Sequence, residues 1–359
     1  MRVVVTAGGT GGHIYPALAI INKIKELHPE SEFLYIGTHN RMEKDIIPTY
    51  NIPFKSIEIY GINRKNPFKN IKTIKAFMKS LKDIKKYLKE FNPDVVVGAG
   101  GYVTGPVLYM ASKLGYKTFI HEQNSIPGRA NKFLSKYVDQ IGVSFKSSIK
   151  YFPEYKTTFT GNPCGEEALM KKEISKKEFG LSLNKKLVLF VMGSLGSSKM
   201  NDFLVKTMSL FKNKDYEILF VTGKKYSEEL LKKEFPSNVK VVPYVENMPG
   251  LMKNTDLMIS RAGASTLSEI IALKVPSILI PSPYVTDNHQ FKNAYDLVSK
   301  KAAVLIEEAD LKGDFLVRKI DELLENNNSL EEMKKALEEL QMKNSAYEVV
   351  SILEKLVRS

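Results

Sequence analysis

Short runs rich in Val and Ile alternate along this chain with longer stretches whose apolar positions recur at helical spacing. The runs near 2–6, 33–36, 95–97, 117–120 and 140–143, and again near 187–192, 217–222, 239–242, 257–260, 276–280 and 303–306, read as strands. Unbroken apolar strands separated by amphipathic helices are the pattern of βαβ units around a parallel sheet buried on both faces, so the fold class is α/β. The two series share a plan. "RVVVTAGGTGGHIYPALAI" and "LVLFVMGSLGSSKMNDFLV" each read as buried strand, small-residue loop and helix. Between them "FTGNPCGEE" has the Gly, Asn and Pro of a turn, which places the linker there. The expected domains are 1–161 joined by 343–359, because a last helix over 346–357 can cross back to the first half, and 162–342.

At 359 residues and 43% hydrophobic, the chain exceeds what one core organises, which fits two domains. A single cysteine, Cys164, permits no internal disulfide and no cysteine metal cage, and reads as a small apolar filler in a reducing compartment. No run reaches the length of a membrane-spanning helix, and "MRVVVTAGG" enters a strand without the order of a signal peptide, so a place in the cytosol or on the cytosolic face of a membrane is expected. The net charge of +13 changes the picture, since it asks for an acidic partner: nucleic acid, anionic lipid or a phosphorylated substrate. Much of it sits in 62–91, with ten Lys or Arg against two acids. There Phe68, Ile71, Ile74, Phe77, Leu81, Ile84 and Leu88 form one apolar helical stripe. The stripe reads as a helix packed on its sheet. The cations Lys69, Lys72 and Lys75 beside Phe68 and Phe77 also suit an anionic membrane surface. No nucleic-acid recognition motif accompanies the charge, and the loops are rich in Gly and neutral polar residues rather than Arg, so nucleic acid is set aside as a partner.

The candidate chemistry lies where strands end. "GGTGGHIYPALAI" places glycines between a strand and a helix, where free N–H groups and the helix dipole attract an anion or polar sugar. A dinucleotide fingerprint needs a third glycine at Ile14, and a G-x-x-x-x-G-K-[ST] loop is absent, so neither familiar phosphate motif applies. His13 falls just inside that helix, where the dipole favours neutral imidazole able to accept a proton; it reads either as a base or as a side chain bonding a neighbouring loop. "GAGGYVTGP" supplies Gly100, Gly101 and Tyr102, and "HEQNSIPGRAN" supplies His121 and Glu122, which can orient each other or a substrate. In the second half "GSLGSS" offers amides and hydroxyls to a diphosphate. Glu269, one turn into the helix opened by "ISRAGASTLSEI", can accept both hydroxyls of a ribose or serve the helix dipole in solvent. His289, Gln290 and Asn293 suit the hydroxyls of a neutral sugar. No D-x-D is present, so a metal held by paired aspartates to carry a nucleotide diphosphate is not expected; no cofactor is expected either.

Taken together, "GGTGGHIYPALA", "GAGGYVTGP", "HEQNSIPGRAN", "GNPCG", "GSLGSSKMN", "SRAGASTLSE" and "HQFKNA" resemble, in order and spacing, the family of peptidoglycan glycosyltransferases that add N-acetylglucosamine to undecaprenyl-diphospho-muramoyl-pentapeptide. The resemblance implies the GT-B arrangement, two Rossmann-like domains with parallel sheets facing across a deep cleft. It implies UDP-N-acetylglucosamine held mainly by the C-terminal half, lipid I as acceptor on the N-terminal half, and a peripheral place on the cytoplasmic face of the cell membrane. On the donor side it implies Thr10, Gly11, Gly12, Asn124, Ser194, the Val245 backbone, Ala264, Ser265, Thr266, Leu267, Ser268, Glu269, Gln290 and Asn293. It also implies an inverting displacement with His13 as base. One position departs: the family carries Arg after Gly-Asn-Pro-x, where this chain has Gly165, so another cation such as Lys199 takes its place or donor affinity differs.

Overall fold

The computed structural model describes residues 1–60, 70–193, 198–223 and 233–359, and divides into two compact units, Met1–Cys164 with Asn344–Ser359 and Gly165–Lys343. Phe68, Lys69 and Ser194 lie outside the described residues, as does the side chain of Lys72.

The first unit runs β1 (Arg2–Thr6), α1 (Gly11–Leu27), β2 (Glu32–Thr38), α2 (Glu43–Ile46), β3 (Phe54–Ile57), α3 (Asn70–Phe91), β4 (Val95–Gly98), α4 (Thr104–Lys113), β5 (Lys117–Glu122), α5 (Arg129–Leu134), β6 (Gln140–Val143) and β7 (Thr157–Phe159). Its seven strands lie in the order β3-β2-β1-β4-β5-β6-β7, all pairs parallel. Val3, Val4 and Val5 of β1 pair in register with Val95, Val96 and Val97 of β4, and all but Val4 and Val96 join a core with α1. Val4 and Val96 face the opposite core, under α3 and α4. Covering both faces is what makes these strands uniformly β-branched.

After α6 (Pro163–Met170) the second unit runs β8 (Leu187–Val191), α7 (Ser198–Met208), β9 (Glu217–Val221), β10 (Val239–Val242), α8 (Met248–Met252), β11 (Leu257–Ser260), α9 (Ala264–Leu273), β12 (Ser277–Leu279), α10 (His289–Val298), β13 (Val304–Leu305), α11 (Phe315–Glu325) and α12 (Asn327–Leu340). The order β10-β9-β8-β11-β12-β13 repeats the parallel plan of the first sheet. The last helix, α13 (Ser345–Arg358), returns to the first unit and packs on α1 through Val349, Val350, Leu353 and Leu356.

In each sheet the strand order reverses between its first strand and its fourth, β1 beside β4 and β8 beside β11. The crevice outside the carboxyl ends of such a pair is where open α/β sheets hold ligands. Two strands, β3 and β7, fall outside the periodic pattern of the sequence. Both are edge strands with a single neighbour, and β3 exposes Lys55 and Ser56, so neither needs an apolar run. Phe77 also departs from the expected stripe. Among the described side chains of α3 the buried positions are Ala76, Ser80, Ile84 and Leu88, whereas Phe77 is 41% exposed and Met78 62%.

Candidate functional site

The first glycine run is held from three directions. Gly9 takes a left-handed φ of +91, which lets the chain turn sharply out of β1. Thr10 then caps α1 in extended conformation, its carbonyl accepting from the amides of His13 at 3.1 Å and Ile14 at 3.3 Å. The Gly8 amide donates to Gly100 O at 3.2 Å, joining the loops that follow β1 and β4. Gly100 and Gly101 have φ of +96 and +92, and a Cβ on Gly100 would stand 2.6 Å from His13 Cδ2. A Cβ on Gly101 would collide with Gly8 O. These glycines therefore let two loops and one imidazole share a space that side chains would fill. Gly11 is buried, while Thr10, Gly12 and, at 78% exposure, Tyr102 face solvent.

His13 is half-buried, and its Nδ1 lies 3.0 Å from Gly8 O. A carbonyl only accepts, so Nδ1 carries the proton in this bond and the neutral ring has its lone pair on Nε2.

His121 and Glu122 do not orient each other. They are successive residues of β5 and point to opposite faces. His121 is fully buried; its Nε2–H donates to Gly161 O at 2.9 Å and its Nδ1 accepts from Gln123 Nε2 at 3.1 Å. Burial lowers its pKa to about 4, so this imidazole stays neutral and joins β5 to the segment after β7. Glu122 is buried as well and accepts from the Asn124 amide and Asn124 Nδ2 on one oxygen, at 2.9 and 3.1 Å. Its other oxygen accepts from the Gly128 amide and Asn131 Nδ2, both at 2.9 Å. Glu122 is thus the clasp that shapes the loop carrying Asn124.

In the second unit, Gly263 opens α9 in extended conformation behind Arg261 and Ala262. Ala264 and Leu267 turn their side chains into the core, leaving only backbone for a ligand, while Ser265, Thr266 and Ser268 are half-buried. Ser265 Oγ is buried and has no hydrogen-bond partner among the described residues. Val245 is buried at 5% exposure, in the segment between β10 and α8. Asn293 Nδ2 donates to Ala262 O at 3.3 Å, and Gln290 Oε1 accepts from the Ser282 amide at 2.9 Å, so α10 ties together the loops after β11 and β12. Desolvation first, and the charge of Glu167 second, push the carboxyl of Glu269 up to about 7.

Gly165 has a packing reason. A Cβ there would stand 2.9 Å from Ser268 O, so α6 crosses α9 at a point that admits no side chain. Lys199 Nζ donates to Tyr284 OH at 2.9 Å and stands 3.6 Å from Glu308 Oε2. Glu308 Oε1 pairs with Arg261 Nη2 at 2.6 Å, while Arg261 Nη1 donates to Ile280 O at 3.0 Å. The buried cation next to the start of α9 is therefore Arg261.

Residues 3–143 match the glycosyltransferase family 28 N-terminal domain and residues 187–349 match the family's C-terminal domain. A UDP-N-acetylglucosamine--N-acetylmuramyl-(pentapeptide) pyrophosphoryl-undecaprenol N-acetylglucosamine transferase of Bacillus cereus is 50% identical over 363 residues, covering 100% of both chains. This chain belongs to glycosyltransferase family 28. A relative of the same printed name from Bacillus cytotoxicus is 48% identical, again over 100% of both chains. Among solved structures, MurG of Acinetobacter baumannii is 27% identical with a TM-score of 0.77, covering 99% of each chain. A UDP-GlcNAc 2-epimerase from Neisseria meningitidis shares the fold alone, at 16% identity and a TM-score of 0.69, covering 99% of this chain and 100% of that one.

Sequence reasoning passed over Glu43, which accepts from the Gly9 amide at 3.0 Å, as well as Asn131, Arg261 and Glu308. Asn131 and Arg261 stand inside the quoted motifs. Glu43 and Glu308 stand in segments without a motif, and only their burial in the fold marks them.

Proposed function

We propose that this chain transfers N-acetylglucosamine from UDP-N-acetylglucosamine to the 4-hydroxyl of undecaprenyl-diphospho-N-acetylmuramoyl-pentapeptide, lipid I, and so forms lipid II for the peptidoglycan on which cell shape and division depend. The observation that carries this reading is 50% identity along the whole chain to a transferase of that printed name. In the reaction the acceptor oxygen bonds to C1 of the donor sugar while the bond from C1 to the diphosphate oxygen breaks, which inverts the anomeric centre and gives a β-1,4 link. The hydroxyl proton passes to His13 Nε2, the basic nitrogen of the tautomer that Gly8 O selects. Amides at the start of α9 meet the charge that grows on the departing UDP. Glu269 takes the ribose hydroxyls, Val245 backbone the uracil, and Gln290 and Asn293 the sugar.

The test is direct. Protein incubated with UDP-[14C]N-acetylglucosamine, a short-chain lipid I analogue and EDTA should yield a labelled disaccharide lipid, and donor alone should yield no epimerised sugar. Product from donor alone, or none with the acceptor, would sink the assignment.

The acceptor's lipid bears on α3. Its solvent side carries Lys75, Lys79 and Lys82 with Met78, Phe77 is 41% exposed, and among the described residues no helix is long and apolar enough to cross a membrane. We read this face as a peripheral contact with anionic lipid, where each cation contributes about 1 kcal/mol. Sedimentation with phosphatidylglycerol vesicles should retain the wild type at low salt and release it at high salt. The triple reversal of Lys75, Lys79 and Lys82 to Glu should lower the bound fraction at least tenfold; unchanged binding refutes the face.

A further inference from the structure

Glu43 has no place in the chemistry so far, yet its side chain is completely buried beside the first glycine loop. A buried carboxylate is tolerated only with its oxygens satisfied, and here three donors converge on it. Oε1 accepts from the Thr38 amide at 3.0 Å and Thr38 Oγ1 at 2.6 Å, and Oε2 accepts from the Gly9 amide at 3.0 Å. The space is made for it, since a Cβ on Gly8 would strike this side chain and one on Gly37 would strike it together with Phe54. The Gly9 N–H and the Gly8 C=O belong to a single peptide group, and that same Gly8 O accepts the Nδ1–H of His13 at 3.0 Å.

We infer that Glu43 is a positioning residue for the transfer, coupled to the His13 imidazole through the one peptide group between Gly8 and Gly9. A carboxylate accepting an amide N–H draws electron density toward the carbonyl oxygen of that amide, which then accepts more strongly. The carbonyl in turn fixes the Nδ1–H tautomer, orients the ring and raises the basicity of Nε2. An acidic partner bound directly to a catalytic histidine acts in the same way; here a backbone amide stands between. Tyr35 of β2 is the titratable side chain set against Glu43 from another element. Burial, and then Glu43 itself, hold its phenol well above its ordinary range, and it donates to Ala7 O, so it adds no charge. The backbones of Gly8 and Gly100 are among the groups that face His13.

This inference rests on the reading of His13 as base, so its test has a readout apart from turnover. In protein labelled with 15N-histidine, the His13 signal, assigned by its loss in His13→Ala, should report the Nδ1–H tautomer. Glu43→Gln keeps the shape but removes the charge, and should lower the His13 titration midpoint by half a unit or more. Thr38→Val removes one competing donor from the carboxylate and should raise the midpoint. A merely structural perturbation would not move the two variants in opposite directions. In kinetics, Glu43→Gln should cut kcat about tenfold and shift the acidic limb of its pH profile downward, with KM for UDP-N-acetylglucosamine within twofold. The same change in a His13→Ala background should cost nothing further. Folded variants whose midpoints stay put overturn the coupling, whatever the activity of His13→Ala. Midpoints that move while His13→Ala keeps its turnover leave the coupling standing and overturn the base instead.

Discussion

Replacing His13 by alanine should lower kcat by about 10²- to 10⁴-fold, the range that general-base catalysis supplies, while the dissociation constant for UDP-N-acetylglucosamine changes less than threefold. The split follows from where the ring stands. Its Nδ1 is committed to Gly8 O, its ring stands beside Gly100, and α1 starts two residues before it. Removing the imidazole leaves the glycine backbone and the helix start in place, so anion contacts survive and proton removal does not. Single-turnover kinetics separate the chemical step from product release, and calorimetry gives the affinity. A kcat within threefold of wild type would show that the ring serves contact only.

The second large effect concerns Glu269. Replacing it with alanine should weaken UDP-N-acetylglucosamine about 10- to 100-fold, since hydrogen bonds to a charged group contribute about 1.5–3 kcal/mol. The pH dependence carries more information. With its carboxyl pushed up to about 7, the group is largely protonated at pH 6 and ionised at pH 8. Ribose hydroxyls donate to the ionised form, so affinity should rise about tenfold between pH 6 and pH 8 and level off above. The donor's diphosphate, esterified at both ends, does not titrate there. Glu269→Gln should bind weakly and show no such rise, and Glu167→Gln should shift the midpoint to lower pH. A flat profile in the wild type would place Glu269 away from the ribose.

What the sequence discloses here tracks how local each feature is. The glycine loops, the helix starts and the buried strands of both sheets announce themselves in residues that are neighbours along the chain. Glu43 does not, because its partners are the backbone of Gly9 and the amide and hydroxyl of Thr38, and nothing near position 43 shows that Gly9, 34 residues earlier, supplies a donor. His121 misleads for the opposite reason. A histidine beside a glutamate suggests a working pair, yet strand alternation sends one side chain to Gly161 and the other to the loop of Asn124. Phe77 shares the helical face of Ile84, seven residues on, and is nonetheless 41% exposed, while Ile84 and Leu88 are buried. Gly165 is legible only once α6 is seen to cross Ser268.

The return of α13 to the first unit bears on how the protein is made. Val349, Val350, Leu353 and Leu356 complete the apolar layer that also holds Ile14, Ala17 and Leu18 of α1, and Glu354 meets His28 at the far end of that helix. Everything in between, residues 165–343, is synthesised first. The helix that begins at the glycine loop therefore leaves the ribosome early, and its partner α13 follows only after residues 165–343 have been added. A chain broken anywhere in its second half would carry every residue of the first glycine loop and still lack the surface that keeps its helix in place.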